Sequence, residues 1–233
     1  MNAAAVVVGG GTGLLLGRRV PERVRDIVMQ GVGLVTVVIG IQMALQTRNV
    51  LGLIVSLAAG AAVGELLQIE DALERLGQSA QRRMGTAAAS GTFAQGFVTS
   101  SLLFCVGPMT LLGAVQDGLG QSPVLLYTKS VLDGISAVAL AAALGAGVVL
   151  SAVTVLVYQG GITLLAGTAQ RIMTPEVTRE VSAVGGVLIF GLGLGILRVC
   201  RIRVGNLLPA LVVMAVLTGL GPWWNALAAV MVR

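Results

Sequence analysis

Apolar residues dominate the chain in long runs that are separated by short polar turns. A helix that crosses a hydrocarbon core of about 30 Å needs about 20 such residues. The pattern therefore predicts an all-α, polytopic transmembrane helical bundle of about eight spans, in a single integral membrane domain covering residues 1–233. The predicted spans are 3–17, 25–46, 50–68, 91–117, 123–145, 148–167, 181–199 and 207–220.

Small residues recur at every fourth position of the first span, at Gly9, Gly13 and Gly17. This spacing favours the close approach of another membrane helix. The segment also faintly matches a dinucleotide-binding fingerprint, but that motif needs a preceding strand and a following soluble helix, so we expect helix packing. Capping residues precede other spans, and Asn49 is predicted to cap the third span and Ser122 the fifth.

One extended polar stretch, residues 68–90, interrupts the apolar pattern. Apolar side chains recur there at helical spacing with charged residues between them, which is typical of an amphipathic interfacial helix followed by a loop. A solvated connector is the preferred interpretation, and a partner-binding site is the alternative. The apolar positions are Leu66, Ile69, Leu73 and Leu76, and the charged positions predicted to lie opposite them are Glu70, Glu74 and Arg75.

The fourth span combines a spanning length with polar residues and a helix break at Gly107-Pro108. Pro108 removes one backbone donor and frees the carbonyl group of Phe104. Polar groups in a spanning helix are costly unless protein or water satisfies them, and broken helices form solute sites in secondary transporters. The alternative is a kinked helix whose Ser and Thr side chains bond its own backbone. The polar residues of this span are Thr92, Gln95, Thr99, Ser100, Ser101 and Cys105.

Two charged residues, Lys129 and Asp133, lie inside the fifth predicted span. At 1.5 Å per residue, Asp133 lies about 15 Å into the helix and therefore near the middle of the membrane. The two side chains are four residues apart, so they share a helix face and can neutralise each other. Charges at this depth usually serve a pathway, and a structural ion pair is the alternative. Tyr158 and Gln159 place a further polar group in the middle of the sixth span.

Composition agrees with a membrane protein, because 56% of the residues are hydrophobic and 11% are charged. A mean hydropathy of +0.94 would leave a soluble fold with far too much exposed apolar surface. The net charge of +5 comes without a long basic run, which suits an inner-membrane topology and predicts no nucleic-acid partner. Cys105 and Cys200 imply no disulfide framework. The chain has no histidine, and we expect no metal site and no cofactor.

The two ends of the chain resemble each other. GGTGLLLG (10–17) aligns with GGITLLAG (160–167), PERVRDIVMQGVGL (21–34) aligns with PEVTREVSAVGGVL (175–188), and Asn49 pairs with Asn206. We infer a duplicated three-helix unit, residues 1–67 and 152–220, which flanks the connector and the central spans 91–151 and precedes a tail, 221–233. The copies begin at spans 1 and 6, an odd offset that would invert one copy, as in inverted-repeat transporters.

Basic residues are distributed unequally between alternate loops. With the N-terminus outside, the inner loops hold 10 basic residues and the outer ones 5. This modest bias predicts that both termini lie on the outer side of an even number of spans.

Three segments carry a resemblance to a known family: SLLFCVGPMTLLGAVQDGL (101–119), KSVLDG (129–134) and YQGGITLLAG (158–167). Together with PERVRDIVMQGVGL they closely resemble the YqgA/YdfK-like family of bacterial membrane proteins, over nearly the whole chain. Ser100 stands where the family pattern leads us to expect alanine, and the 68–90 connector differs. The resemblance implies a multi-pass protein of the bacterial inner (cytoplasmic) membrane. The family is a domain of unknown function, so the resemblance implies no substrate and no catalytic residue.

The leading hypothesis is a small secondary transporter or channel-like carrier of a small solute or ion, with Asp133 as its proton- or cation-coupling carboxylate. A non-transporting structural or regulatory membrane protein is the alternative. An enzyme is not expected, because the chain has no HExxH or GxSxG motif and no second mid-membrane aspartate. The expected partners are the lipid bilayer and that solute or ion, and a homo-oligomer is left open. The candidate binding residues are Gln95, Thr99, Ser101, Cys105, Pro108, Lys129, Asp133, Tyr158 and Gln159.

Overall fold

The computed structural model describes residues 1–17, 21–83, 90–105, 108–168, 173–219 and 221. Every regular element among them is a helix, so the predicted all-α class is confirmed for this part of the chain. The predicted tail beyond residue 221 and the side chains of Leu76, Thr92 and Pro108 lie outside the described residues. The elements are α1 (Asn2–Gly17), α2 (Glu22–Ala44), α3 (Val50–Leu67), α4 (Ile69–Arg83), α5 (Ser90–Cys105), α6 (Pro108–Gly118), α7 (Val124–Leu144), α8 (Gly147–Leu164), α9 (Pro175–Ile196) and α10 (Pro209–Gly219), with a 3-10 helix at Val204–Leu207.

Five of these helices, α2, α3, α7, α8 and α9, are long and apolar enough to cross a membrane. A sixth candidate results if α5 and α6 are counted as one span, bent by 61° where Gly107-Pro108 predicts a break. The predicted first and eighth spans fall on shorter apolar helices, α1 with 16 residues and the segment Val204–Gly219. The apolar helical architecture is thus confirmed, and the count of eight spans stays a prediction.

α1 packs along α7 in the same direction, with backbone against backbone. Gly9 lies against the carbonyl group of Gly134 at one end of the contact, and Gly17 lies against Ala142 at the other. A Cβ atom on either glycine would overlap these backbone atoms, so the contact requires glycine. The four-residue glycine spacing predicts a close helix contact, and this contact is present with α7 as the partner.

α2 and α9 also pack backbone to backbone, but they run antiparallel. Gly193 lies against the carbonyl group of Gly33 near one end of the contact, and Gly40 lies against Gly186 near the other. Small residues permit this approach, which membrane helices need because lipid supplies no hydrophobic driving force between them. α3 packs in the same antiparallel way against the segment Val204–Gly219, with Gly60 against Ala210 of α10 and Gly64 against Asn206 of the 3-10 helix.

α8 runs parallel to α5 and α6 and antiparallel to α1. Its first residue, Gly147, lies against the backbone of Phe93, and Thr163 near its end donates to the carbonyl group of Ala114 (3.2 Å). A tight turn precedes α8, and Gly145 in this turn has a φ of +85°, a conformation that favours glycine. Residues of α1, α5, α7 and α8 form one buried apolar cluster, and residues of α5, α6, α9 and α10 contribute to a second.

α4 forms where the sequence predicts an amphipathic helix, but two of its expected positions are wrong. Glu70 does not face solvent, because it is half-buried and accepts a hydrogen bond from the backbone N–H of Gly205 (2.6 Å). Leu66 does not belong to the buried face of α4, since it lies in α3 and is 85% exposed. The cause is Asn206, whose Oδ1 accepts from the N–H of Glu70 (2.7 Å) and draws the start of α4 onto the 3-10 helix.

The two predicted caps have different outcomes. Asn49 caps α3 as predicted, since its Oδ1 accepts from the N–H of Gly52 (2.8 Å). The predicted cap at Ser122 is wrong: the residue before the first turn of α7 is Pro123, and no side chain caps this helix. Ser122 lies one residue too early to reach the free N–H groups.

Candidate functional site

Four polar side chains meet in the interior formed by α1, α7 and α8. On α7, the Lys129 ammonium and the Asp133 carboxylate form an ion pair, with Nζ 2.5 Å from Oδ1. Nδ2 of Asn2, at the start of α1, donates to Asp133 Oδ2 (2.8 Å) and to Oε1 of Gln159 on α8 (3.1 Å). Asn2 and Asp133 are each 4% exposed, and Gln159 is 7% exposed. These four residues are the polar cluster.

The helix geometry explains why these groups meet. Lys129 and Asp133 are one turn apart and therefore lie on one face of α7. Asn2 reaches Asp133 because α1 packs in parallel along α7, and it reaches Gln159 because α8 crosses α1 antiparallel. Apolar residues neighbour the polar cluster: Val6 lies one turn after Asn2 on α1, Val155 lies one turn before Gln159 on α8, and both side chains are fully buried.

Two buried atoms of the polar cluster have no hydrogen-bond partner among the described residues, Oδ1 of Asn2 and Nε2 of Gln159. A buried polar atom without a partner costs about 1–3 kcal/mol. The first atom is an acceptor and the second is a donor. The polar cluster is therefore incomplete as a network among the described residues.

The break between α5 and α6 lies beside the polar cluster. The ring of Phe104, in the last turn of α5, has its centroid 5.9 Å from the Nζ atom of Lys129. The carbonyl group of Phe104, which the sequence predicts to be freed, accepts a hydrogen bond from Oγ1 of Thr110 on α6 (3.0 Å). Cys105 is buried in the same apolar cluster as Phe104. The broken helix thus contributes an aromatic wall and no free carbonyl at Phe104.

A separate cavity of about 950 Å³ lies at the end of the bundle where α4 packs, and we name it the vestibule. Gln95 and Thr99 line it, together with Ala143 near the end of α7. Asp133 precedes Ala143 on this helix by about 15 Å, at 1.5 Å per residue. The predicted single site is therefore divided, because Gln95 and Thr99 lie at the vestibule and not in the polar cluster. The charged residues that line the vestibule are Asp26, Glu70, Glu74, Arg198 and Arg201.

Three other polar residues on α5 and α8 do not belong to the polar cluster, the candidates Ser101 and Tyr158 and the neighbouring Ser100. Ser101 donates to Oγ1 of Thr154 (3.2 Å) and so joins α5 to α8. Ser100 donates to the carbonyl group of Gly96 (2.5 Å), which is the backbone bonding expected of a packed helix. Tyr158 is 37% exposed and makes no side-chain hydrogen bond among the described residues.

Asn2 is the member of the polar cluster that the sequence does not single out. It is the only polar side chain among the first ten residues, but a polar residue beside an apolar run is ordinary at a helix start. Within the described residues, no three His, Cys, Asp or Glu side chains are placed to hold a metal ion. The expectations of no metal and no cofactor stay predictions.

The sequence does not single out a second buried carboxylate either, Glu180 on α9. It is 1% exposed and accepts from Oγ1 of Thr47 (2.5 Å), the N–H of Arg48 (3.0 Å) and Nε of Arg179 (3.1 Å). These bonds fasten the turn between α2 and α3 to α9. A signal exists in the repeat, because the alignment of PERVRD with PEVTRE pairs Glu180 with Asp26, an acid in both copies.

Glu70, at the vestibule, has an unusual electrostatic environment. Burial raises the pKa of its carboxyl group above the ordinary value of 4.5, and the neighbouring Glu74 carboxylate adds to this rise. The N–H of Gly205 and the guanidinium groups of Arg201 and Arg203 lower the pKa, but burial outweighs them. Glu70 is therefore a titratable group at the point where α4 joins the bundle.

Comparisons with known proteins place the chain in a family. Residues 1–219 match the family model described as "Protein of unknown function (DUF554)". The chain is 31% identical over 229 residues to "Uncharacterized protein YqgA" of Escherichia coli (strain K12), covering 97% of each chain. It is 30% identical over 216 residues to "Uncharacterized membrane protein YdfK" of Bacillus subtilis (strain 168), covering 91% of each. No solved structure matches it. The resemblance seen in the sequence is confirmed, and the chain belongs to the DUF554 family.

Proposed function

We propose that this protein is a multi-pass protein of the bacterial inner membrane that acts as a small secondary transporter or channel-like carrier for a small solute or ion. The observation that carries the proposal is the polar cluster, in which an ion pair and two amides are buried among apolar helices with two atoms unpartnered. Charged groups at membrane depth are expensive and usually serve a pathway. Membrane location is supported by five long apolar helices and by the relative YdfK, whose name calls it a membrane protein.

The depth of the polar cluster supports this function. Asp133 lies nine residues beyond Val124, the first residue of α7, which is about 14 Å at 1.5 Å per residue. That is about half of a hydrocarbon core of about 30 Å. The broken helix α5–α6 reaches the same level, because Phe104 lies beside Lys129. Discontinuous helices near the midplane form the sites of several transporter folds.

In the proposed topology, α1, α2, α3, α5–α6, α7, α8, α9 and α10 are the eight spans, and both termini lie outside. The packing directions support this count, because successive spans must alternate in direction. Spans 1 and 5 should be parallel, as α1 and α7 are, and spans 4 and 6 should be parallel, as α5–α6 and α8 are. Spans 2 and 7 and spans 3 and 8 should be antiparallel, as the pairs α2–α9 and α3–α10 are.

The contact between α2 and α9 supports an inverted repeat. In the alignment that pairs Pro21 with Pro175, position 33 pairs with position 187 and position 39 pairs with position 193. The Gly33–Gly193 contact therefore maps within one residue onto the Gly40–Gly186 contact. A two-fold axis in the membrane plane would produce this exchange and would place the site between the repeats. The same axis would exchange α1 with α8, and α7 with the broken helix α5–α6.

The vestibule is the proposed cytoplasmic entrance. In the proposed topology α4 lies on the inner side, and the vestibule lies at the α4 end of the bundle. A solute would pass Gln95 and Thr99 before it reached Asp133, the proposed coupling carboxylate, whose counter-ion is Lys129. About 15 Å along α7 separates the vestibule from the polar cluster, so transport requires a movement of the repeats, as in alternating access.

A non-transporting structural or regulatory protein is the second candidate, and one observation favours it. Lys129 and Asp133 lie on the same helix and neutralise each other at 2.5 Å, which is sufficient for a structural ion pair. This alternative leaves the unpartnered atoms of Asn2 and Gln159 without a role.

The test compares Asp133→Asn with the double variant Lys129→Met, Asp133→Asn after reconstitution into liposomes. Flux of protons, Na⁺ and K⁺ is followed with dyes, and flux of urea and glycerol by light scattering. We expect the wild type to move at least one of these faster than empty liposomes and both variants to lose that flux. The single variant also loses stability because Lys129 is left unpaired, whereas the double variant has no unpaired charge and recovers folding.

Glu65→Gln is the matched control, because it alters an exposed ion pair with Arg203 (2.8 Å) and keeps an oxygen that can accept from Nδ2 of Asn206, the other partner of Glu65 (2.7 Å). It should keep the wild-type flux. A double variant that recovers both folding and flux would assign the pair a structural role. A folded wild-type protein that moves none of the five probes would argue against transport.

A further inference from the structure

The charge of Asp133 fixes the orientation of both amides in the polar cluster. Nδ2 of Asn2 carries two hydrogens and gives one to Asp133 Oδ2 and the other to Gln159 Oε1. Turning the Asn2 amide over would place its oxygen against the carboxylate, and turning the Gln159 amide over would place two NH2 groups together. The charge of Asp133 therefore decides which atom donates and which accepts in each of these hydrogen bonds. Oδ1 of Asn2 and Nε2 of Gln159 are the two amide atoms that remain.

These two remaining atoms are an acceptor and a donor that nothing in the described protein satisfies. Their side chains are more than nine-tenths buried, so bulk solvent does not reach them freely. They belong to amides that are themselves joined by a hydrogen bond of 3.1 Å, so the two atoms lie on neighbouring side chains. A molecule that binds here must donate to Asn2 and accept from Gln159.

The charge balance decides which class of molecule can do this. Lys129 and Asp133 neutralise each other, so the polar cluster has no net charge to offer an ion. A metal cation could not accept from Nε2 of Gln159, and an inorganic anion without a hydrogen could not donate to Oδ1 of Asn2. We infer that the polar cluster binds a small uncharged solute of the amide, urea or polyol class, an inference that rests on the proposed function and names its substrate class.

The apolar walls add selectivity. Val6, Phe104 and Val155 are fully buried in the cluster of side chains that surrounds this region. An amide or hydroxyl group that enters an apolar site without a hydrogen-bond partner pays a desolvation cost. A solute with both a donor and an acceptor recovers this cost at Asn2 and Gln159, and an analogue that lacks one of them leaves a protein atom unpaired.

The experiment measures urea and glycerol permeability of proteoliposomes by stopped-flow light scattering, with K⁺ as the ionic comparison. We expect faster urea or glycerol flux than in empty liposomes and unchanged K⁺ flux. Gln159→Leu should lower that solute flux about tenfold, as the loss of a buried hydrogen bond to the solute implies. Gln159→Met keeps the length of the side chain but has no N–H donor, so it should lower the flux as well. Gln46→Leu, at an exposed glutamine after α2, is the control.

Each outcome separates this inference from the proposed function. Flux of cations or protons without urea or glycerol leaves transport standing and overturns the inference. Faster movement of water only means that the two atoms hold water, and this also overturns it. Unchanged solute flux in both Gln159 variants would also overturn the inference. If the folded wild type moves no probe, the proposed function fails and the inference fails with it.

A binding measurement that needs no flux completes the test. Side-chain amides of glutamine are labelled with nitrogen-15 in the detergent-solubilised full chain, and the Gln159 signal is identified by its absence in Gln159→Leu. Urea and glycerol should shift this signal. Tetramethylurea, which has a carbonyl oxygen but no N–H to donate to Asn2, should shift it much less. A signal that moves with none of these probes, or equally with all three, contradicts the inference.

Discussion

Asp133 and Glu180 are both buried carboxylates, but their hydrogen-bond networks differ in whether every buried polar atom has a partner. Glu180 is 1% exposed and accepts hydrogen bonds from the α2–α3 turn and from Arg179, all within the protein. Asp133 is 4% exposed and accepts from Lys129 and Asn2, but its network ends in two atoms that have no partner in the part of the chain that the structure describes. Burial is nearly the same at the two sites, so it does not separate their roles.

The completeness of each network does separate them. A buried polar network whose members are all satisfied rigidifies the elements that it joins. Glu180 does this at the ends of helices, where it holds a turn against α9. The polar cluster lies at the middle of α7 and contains a donor and an acceptor that no described residue satisfies. The first arrangement fits a structural role, and the second fits a binding role.

The largest effect on stability is expected from Glu180→Ala. The substitution leaves the Thr47 hydroxyl, the Arg48 N–H and Arg179 without their common acceptor in a buried site, which should cost about 3–5 kcal/mol. Unfolding in mixed micelles, followed by circular dichroism, measures the change. Glu180→Gln keeps one acceptor oxygen, so its stability should lie between those of the wild type and Glu180→Ala. Wild-type stability in Glu180→Ala would show that this carboxylate is not structural.

Asp133→Asn should cost somewhat less, about 3 kcal/mol, because shape is kept and one unpaired charge, Lys129, remains in the interior. Adding Lys129→Met should restore most of this stability, measured by the same unfolding experiment as a double-mutant cycle. The corresponding double change at the other site, Arg179→Met with Glu180→Gln, should not restore stability, because the donors of the turn still lack a carboxylate. Equal recovery of stability by the two double variants would contradict the proposed difference between a binding role at Asp133 and a structural role at Glu180.

Single hydrogen bonds should show the same contrast on a smaller scale. Thr47→Val removes a donor to the charged Glu180 and should cost about 1.5–3 kcal/mol. Gln159→Leu breaks a neutral hydrogen bond with Asn2 but also removes an unpartnered donor, so its cost should stay below about 1 kcal/mol. Solute flux should respond in the reverse order, lowered about tenfold in Gln159→Leu and kept in Thr47→Val. A greater loss of stability in Gln159→Leu would place the polar cluster among structural networks.

Several of these features follow from local sequence patterns. The helices were predictable because apolar runs of spanning length admit few other structures. The close contact of α1 was predictable from the glycines at every fourth residue, and the Lys129–Asp133 pair from its spacing of one helical turn. Asn49 was recognisable as a cap because its role depends on the next three residues alone.

The remaining features depend on contacts that are distant in the sequence. Gln95 lines the vestibule, whereas Asp133 lies in the polar cluster, and this division depends on how α5 packs against α8. Asn2 joins the polar cluster only because α1 packs along α7 in a particular register. Glu70 was placed on a solvated face by its periodicity, but Asn206 and Gly205, far along the chain, draw it into the bundle. Periodicity within one helix carries no information on these partners.

The smallest predicted effect concerns Glu70, a carboxylate at the vestibule that is only half-buried, unlike Asp133 and Glu180. Burial raises its pKa above 4.5, so the folded state binds its proton more tightly than the unfolded state does. Its contribution to stability is thus fully present below about pH 4.5 and is lost as the pH rises through the folded-state pKa. Glu70→Gln keeps an oxygen to accept from Gly205 and removes the charge, so the variant should melt higher than the wild type near pH 7 and equally at pH 4. Melting temperatures from pH 4 to 8 in detergent measure this difference, and a difference that does not change with pH would mean that the guanidinium groups of Arg201 and Arg203 fully offset the burial.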